Sequence, residues 1–109
     1  MKTISKHVFA TATAIVVVFI FSLSAHAQSA SETLYKSKCS ACHGADGTGS
    51  AMGKKMGVSD LTTAAVQGMS DTELADIITN GKNKMPKYGT SLKAEDIKGL
   101  VAYIRTFKK

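Results

Sequence analysis

The sequence contains few cysteines and histidines, the residues that form disulfides and most zinc sites. Its 109 residues include no tryptophan, one proline, two cysteines and three histidines. Two cysteines allow a single disulfide, and a bond between Cys39 and Cys42 would stabilise little because it closes a very short loop. A zinc site is disfavoured as well, because Cys39, Cys42 and His43 have no evident fourth protein ligand.

The sequence also lacks several patterns that would indicate other classes of protein. It shows no alternation of apolar and polar residues typical of strands, no internal repeat and no low-complexity tract, so we predict an all-α domain. Basic residues outnumber acidic ones by 14 to 8. They are neither dense enough nor interleaved with aromatic residues as in a nucleic-acid-binding surface, so no nucleic-acid partner is expected.

The first 27 residues have the pattern of a secretory signal peptide. A short basic segment precedes an uncharged apolar run from Val8 to Ala25, and Ala25-His26-Ala27 fits an A-x-A cleavage site. We predict that residues 1–27 are a signal peptide and that residues 28–109 form one small domain, exported to the periplasm without further membrane contact. An uncleaved membrane anchor is the alternative, because the apolar run is just long enough to cross a bilayer.

The stretch Cys39-Ser-Ala-Cys42-His43 forms the C-x-x-C-H pattern that attaches a c-type haem. Residues three apart on a helical turn lie on one face, so both thiols could reach the two vinyl groups of one porphyrin. The imidazole of His43 could then bind the iron from the same side. We expect a helix to carry the motif at its C-terminal end and Gly44 to end that helix. This placement disfavours a thiol–disulfide oxidoreductase, whose reactive cysteine lies at a helix N-terminus.

The iron of a covalent haem has a second axial position besides the one that His43 would fill. His7 and His26 belong to the predicted signal peptide, so the second ligand is not a histidine of the mature chain. Methionine is the remaining soft ligand, and Met/His ligation raises the reduction potential. Pro86 stiffens the backbone beside Met85 and so favours Met85 as the second ligand, without eliminating the other methionines. The four candidates are Met52, Met56, Met69 and Met85.

Local signals predict two helices before residue 82. The first begins at Ser29 or Ser31, where Ser29-x-x-Glu32 fits a capping box, and it ends with the C-x-x-C-H motif. The second is opened by a capping box from Ser70 to Glu73 and ends at Asn80-Gly81.

A last helix is predicted from about Lys93 to Phe107, capped by Thr90 or Ser91. Between the first two helices, the glycine-rich loop 44–57 suits a backbone folded closely beneath a flat cofactor. Apolar residues recur at helical spacing along the two later helices and should face the core: Leu74, Ile77, Ile78, Ile97, Leu100, Val101 and Ile104. Three more are available to line a pocket: Leu61, Ala65 and Val66.

Taken together, these motifs resemble the small class I cytochromes c of bacteria, the single-haem electron carriers of the periplasm. The resemblance covers about residues 31–107. It implies an all-α cytochrome c fold in which the N- and C-terminal helices cross, with helices and loops wrapped around one covalent haem c. The stretches that carry it are Cys39-Ser-Ala-Cys42-His43-Gly44, Asp46-Gly47-x-Gly49, Asp60-Leu61, Lys84-Met85-Pro86-x-Tyr88-Gly89 and Leu100-Val101-x-Tyr103-Ile104-Arg105.

The same resemblance implies roles for individual residues. In that family the methionine before the proline is the distal iron ligand, which here is Met85. An aromatic residue four positions before the first cysteine packs against an aromatic residue of the last helix, and these positions are Tyr35 and Tyr103. The two terminal helices cross at a small residue, and Ser31 stands where glycine is often found.

With His43 and Met85 on the iron, no axial position is free for a substrate. We therefore predict a protein that shuttles single electrons between redox partners and is not an enzyme. A haem-based sensor in which Met85 is displaced is one alternative. A thiol–disulfide oxidoreductase that uses Cys39 and Cys42 is the other.

Lysines near Met85 indicate what kind of partner to expect. Lys82, Lys84 and Lys87 bracket the predicted ligand. Without the two leader lysines, 12 basic residues remain against 8 acidic ones, a net charge of +4. We expect a monomer that meets acidic patches on reductases or oxidases in short-lived, salt-sensitive encounters. Lys54 and Lys55 are candidates for pairing with the haem propionates.

Overall fold

The computed structural model describes residues 25–109, so the predicted signal peptide lies outside this part except for its last three residues. Helical residues 25–38 belong to α1. The further helices are α2 (Ser40–His43), α3 (Ala51–Lys55), α4 (Ala64–Gln67), α5 (Asp71–Asn80) and α6 (Ala94–Arg105). Within residues 25–109 no strand forms, although Lys82 and Met85 pair in an isolated bridge. The all-α prediction is confirmed. Over the same range, no helix is long and apolar enough to span a bilayer.

The predicted start of the first helix is wrong, because residues 25–28 are already helical and Ser29 lies inside α1. The hydroxyl of Ser31 donates to the carbonyl of Ala27, so this serine bonds back along the helix and does not cap it. Glu32, the expected second member of the capping box, instead accepts a hydrogen bond from Lys36 over 2.6 Å. The serine pattern is a local signal, and the preceding residues override it by continuing the helix.

The helices α5 and α6 form as predicted and supply most of the core, whereas α3 forms inside the stretch 44–57, which the glycine pattern predicts as a loop. The capping box of α5 is present: the backbone N–H of Glu73 donates to Ser70 Oγ, and the backbone N–H of Ser70 donates to the Glu73 carboxylate. The apolar stripe of α6 is buried along its whole length. The eight buried apolar side chains of the described residues are Tyr35, Leu61, Leu74, Ile78, Ile97, Leu100, Val101 and Ile104. Ala65, in contrast, is exposed and does not line the cavity beside Leu61 and Val66.

The terminal helices α1 and α6 cross at two small residues. The Oγ of Ser31 lies so close to Gly99 that a Cβ at Gly99 would collide with it. Near the crossing, the rings of Tyr35 and Tyr103 lie 5.1 Å apart, which confirms the predicted aromatic contact. Phe107 completes the cluster at 5.2 Å from each of these rings. These contacts hold α1 against α6 and so fix the orientation of α1 where it leads into the C-x-x-C-H motif.

The helix α6 begins close to the predicted position, but the predicted cap at Thr90 or Ser91 is wrong. Lys93 occupies the N-cap position, and its backbone N–H donates to the carboxylate of Asp96 over 3.1 Å. Thr90 and Ser91 lie in the preceding turn, where the N–H of Ser91 donates to the carbonyl of Tyr88. A carboxylate inside the helix therefore satisfies the N-cap N–H, so no hydroxyl is needed before the helix.

Arg105, at the end of α6, joins three elements. Its Nε and Nη2 donate to a carboxylate oxygen of Asp71 at the start of α5, over 3.0 and 2.9 Å. Its guanidinium also donates to the backbone carbonyls of Gln67, the last residue of α4, and of Met69 in the segment that follows. Because one side chain satisfies these groups, the segment between α4 and α5 is held against the C-terminal helix.

Candidate functional site

A cavity of about 330 Å³ lies between the C-x-x-C-H motif and the loop that carries Met85. All four predicted site residues line it: Cys39, Cys42, His43 and Met85. Most of the remaining wall is apolar, contributed by the core side chains Leu61, Val66, Met69, Leu74, Ile77, Ile78, Leu100 and Ile104. A cavity of this size with few polar groups has the character of a small-molecule or cofactor site.

The motif occupies a single turn that follows a break in the helix. Cys39 interrupts α1 with φ −118° and ψ −35°, although its N–H still donates to the carbonyl of Tyr35. The N–H of His43 donates to the carbonyl of Cys39 over 2.9 Å, which closes the turn. Gly44 then ends α2 with a φ of +78°, a conformation that favours glycine. The prediction that the motif lies at the end of a helix is confirmed.

The loop after the motif forms hydrogen bonds to the backbone of the motif. We call the motif and this loop together, residues 39–53, the motif wall. The N–H of Gly49 donates to the carbonyl of His43 over 2.7 Å, and the N–H of Ser50 donates to that of Cys42 over 3.0 Å. The Ser50 hydroxyl donates to the carbonyl of Ala41 and accepts from the N–H of Gly53, so it also caps α3. Gly53 is buried, and any Cβ there would collide with the backbone of Cys42. The wall therefore depends on a close approach that only glycine permits.

His43 is half-buried in this wall. Burial lowers the pKa of its imidazole below the ordinary value, while the backbone carbonyl of Ser59 acts in the opposite direction. Its Nδ1 atom is buried without a well-formed hydrogen bond in the described part of the protein. An imidazole on a cavity wall, with a lowered pKa and a buried nitrogen that has no well-formed hydrogen bond, has the properties of a metal-binding histidine.

The two thiols are unlike those of a reactive cysteine pair. Cys39 and Cys42 are both free and partly buried. Burial raises the pKa of the Cys39 thiol to about 11. Reactive cysteines have lowered pKa values, because the thiolate is the nucleophile. The Cys39 thiol is therefore a poor nucleophile at neutral pH, and both cysteines line an apolar cavity.

The opposite wall is the methionine loop, residues 81–89. Gly81 ends α5 with a φ of +75°, and a Cβ there would lie 2.7 Å from the carbonyl oxygen of Met85. Lys82 and Met85 exchange two backbone hydrogen bonds, with Asn83 between them at a φ of +54°. The N–H of Tyr88 donates to the carbonyl of Ile78, which fixes the end of the loop to α5.

The four methionines differ in their relation to the cavity. Met52 is 54% exposed and lies outside the cavity. Met56 lines the cavity but is 39% exposed. Met69 and Met85 both line it and pack against the core. The structure therefore separates Met52 from the site and keeps the other three at its walls.

Lysines border the cavity on the side of the methionine loop. Lys82 and Lys84 line it, together with Lys38, which the sequence patterns did not single out. Lys87 is exposed nearby, outside the lining residues. Lys54 and Lys55 are exposed and do not line the cavity, so nothing in the structure links them to the site.

Comparison with known proteins places this arrangement in context. The chain matches the family described as cytochrome C oxidase, cbb3-type, subunit III over residues 26–104. It is 33% identical to a cytochrome c6 of Gracilaria tenuistipitata var. liui over 75 residues, which are 69% of this chain and 68% of that protein. It is 30% identical to a cytochrome c6 of Bryopsis maxima over 71 residues, which are 65% of this chain and 81% of that protein.

Solved structures give the same picture for the fold. The structure is similar to that of the KustC0563 c-type cytochrome, with a TM-score of 0.68 and 32% sequence identity. The match covers 72% of this chain and 96% of that one. A point mutant of the same cytochrome matches with a TM-score of 0.66 and 30% identity over 72% of this chain and 98% of its own.

Proposed function

Since the chain belongs to the small class I cytochromes c, electron-transfer proteins that carry covalent haem c, we propose that residues of the two cavity walls together hold one such haem. The observation that carries the proposal is the convergence of Cys39, Cys42, His43 and Met85 on one apolar cavity. When bound, haem supplies an iron that passes between the ferrous and ferric states by one electron.

Each of the four residues has a distinct role in the proposal. The Cys39 and Cys42 thiols add to the two vinyl groups of the porphyrin and form thioether bonds. His43 provides the proximal imidazole, for which its lowered pKa and its position on the wall are suited. Met85 provides the distal thioether from the methionine loop. The unsatisfied Nδ1 of His43 and the apolar lining fit such a group.

The arrangement favours an electron carrier over an enzyme. With His43 and Met85 both bound to the iron, no coordination position would be free for a substrate. The apolar walls disfavour additional charge in the site, so they raise the reduction potential above that of an exposed site. The protonated, buried Cys39 thiol gives no support to a thiol–disulfide oxidoreductase.

Retention of haem in the denatured protein tests the attachment. The protein recovered from the periplasm should keep its haem on a denaturing gel and show sharp α and β bands when reduced. Cys39→Ser combined with Cys42→Ser should release the haem entirely. A double variant that still retains haem after denaturation would refute the proposed attachment.

Export is a separate part of the proposal. We propose that residues 1–27 are removed as a signal peptide and that the domain acts as a monomer in the periplasm. The mass of the recovered protein should correspond to a chain that begins near Gln28, plus one haem. A mass that includes residues 1–27 would instead support the membrane anchor.

The lysines on the cavity side are proposed to face acidic patches on redox partners. Lys84→Glu combined with Lys87→Glu should slow electron transfer to a purified acidic redox protein and reverse its salt dependence. Lys54→Glu combined with Lys55→Glu is the matched control, since it changes the net charge equally away from the cavity lining. Equal slowing in both double variants would show an effect of net charge alone.

A further inference from the structure

Tyr88 differs from the rest of the methionine loop because its side chain reaches a distant element. Its hydroxyl donates to the backbone carbonyl of Lys38 over 3.1 Å, across 50 positions of sequence. Lys38 is the last residue of α1 and directly precedes Cys39. No other hydrogen bond within residues 25–109 joins the methionine loop to residues 31–53.

The same residue also fixes the loop from its other side. The N–H of Tyr88 donates to the carbonyl of Ile78 in α5 over 3.0 Å, and its ring lines the cavity. The lysines of the loop, in contrast, are exposed and contribute little anchorage. Tyr88 is thus the residue through which the loop contacts both the helix before it and the helix that leads into the C-x-x-C-H motif.

We propose that Tyr88 is a positioning residue for the distal ligand: its hydroxyl holds the methionine loop against the end of α1 and so keeps Met85 at the iron. This inference rests on the ligation proposed above. For Met85 to leave the iron, the loop must move away from the motif wall. The Tyr88–Lys38 hydrogen bond breaks in that movement, so it adds to the free energy that keeps the ligand in place.

Competition by imidazole tests the inference. Imidazole added to the ferric protein takes the position that Met85 leaves, so its apparent affinity scales with the fraction of molecules in which the loop is open. Tyr88→Phe removes the hydroxyl and keeps the ring. We expect this variant to bind imidazole about fivefold more tightly, the size of effect that one net hydrogen bond gives.

Tyr103→Phe is the matched control. It makes the same chemical change at a tyrosine that lies outside the cavity and whose hydroxyl makes no hydrogen bond within residues 25–109. Its imidazole affinity should equal that of the unmodified protein. Denaturant unfolding of both variants separates a general loss of stability from a specific effect on the loop.

The outcomes are distinguishable. Unchanged imidazole affinity in Tyr88→Phe, with or without reduced stability, overturns the inference and leaves the proposed ligation intact. Equal tightening in both variants overturns it too. If the unmodified ferric protein lacks the methionine-to-iron absorption band, the ligation itself is wrong and the role of Tyr88 is lost with it.

Discussion

The two walls of the cavity are held in different ways. In the motif wall, backbone and hydroxyl groups of Gly49 and Ser50 bond directly to the C-x-x-C-H turn, and Gly53 packs against its backbone. The methionine loop exposes most of its side chains and bonds mainly to the end of α5. Within residues 25–109, the Tyr88 hydroxyl is its one side-chain link to α1. Segments with few buried contacts open more easily than closely packed ones.

This difference matches the role proposed for each wall. In the proposed site, two covalent bonds and an imidazole ligand would require a wall whose three side chains keep fixed relative positions. The proposed methionine ligand would require only that its loop stay closed. We therefore expect changes in the motif wall to act on folding and attachment. Changes in the methionine loop should act on ligand exchange at the iron.

The largest effect is expected where the motif wall is packed most tightly. Gly53→Ala places a methyl group against the backbone of Cys42, where neither side moves freely. The free energy of unfolding should fall by about 1–3 kcal/mol, as for overpacked cores. Chemical denaturation of the haem-loaded protein measures this loss.

Gly57→Asn is the control for that substitution. A Cβ there would meet nothing within 4 Å, and asparagine adopts a φ such as the +78° of Gly57 more readily than most L-residues. If Gly57→Asn destabilises the protein as much as Gly53→Ala, the close packing of α3 on the motif is not what supports this wall.

A pair of tyrosine variants sharpens the comparison at a smaller scale. The hydroxyl of Tyr35, a fully buried residue, donates to the carbonyl of Gly44 over 2.7 Å on the motif side. Tyr35→Phe should lower the free energy of unfolding by about 1 kcal/mol, because the partly buried carbonyl of Gly44 loses one of its two donors and keeps only the N–H of Gly47. Imidazole affinity should change little in this variant.

Tyr88→Phe should show the reverse pattern, with tighter imidazole binding and a smaller loss of stability, because its bond lies nearer to solvent. Denaturation and imidazole titration of both variants show whether the two walls respond differently. The same pattern in both would mean that the two walls open together.

The smallest effect concerns acid stability on the motif side. Hydrogen bonds from the side chain and backbone of Thr48 lower the pKa of Asp46 below its ordinary value of 3.8, and Thr62 does the same for Asp60. A lowered folded-state pKa means that each group stabilises the fold at neutral pH. That contribution is lost as the pH falls below about 4 and through the lowered pKa.

Unfolding measured from neutral to acidic pH should therefore show a shallower acid loss in Asp46→Asn and Asp60→Asn than in the unmodified protein. Both carboxylates are solvent-exposed, so the change is small and decreases with salt. Asp76→Asn, on the exposed side of α5, is the control. An unaltered acid slope in all three variants would contradict the role of the two turns.

The features predicted correctly are those that neighbouring residues determine. The capping box at Ser70, the apolar stripe that contains Leu100 and the helix end at Gly44 each depend on a few adjacent positions. The contact of Tyr35 with Tyr103 followed from the family resemblance. The convergence of Cys39 and Met85 on one cavity follows the same resemblance, although their roles on the haem stay predictions.

The features that were missed depend on residues far apart in sequence. The sequence patterns did not single out Gly99, because a side chain is excluded there only by Ser31 on another helix. Arg105 matters through carbonyls that precede it by more than thirty positions. Tyr88 bonds to the backbone carbonyl of Lys38. Every residue has such a carbonyl, so the amino-acid sequence does not show which one accepts the bond.

The absorption spectra of ferric methionine variants test the central claim most directly. Met69 and Met56 line the same cavity as Met85 and are its matched controls. We predict that Met85→Ala loses the methionine-to-iron absorption band and that Met69→Ala and Met56→Ala retain it. Retention of the band in Met85→Ala, with its loss in either control, would contradict the division between motif wall and methionine loop.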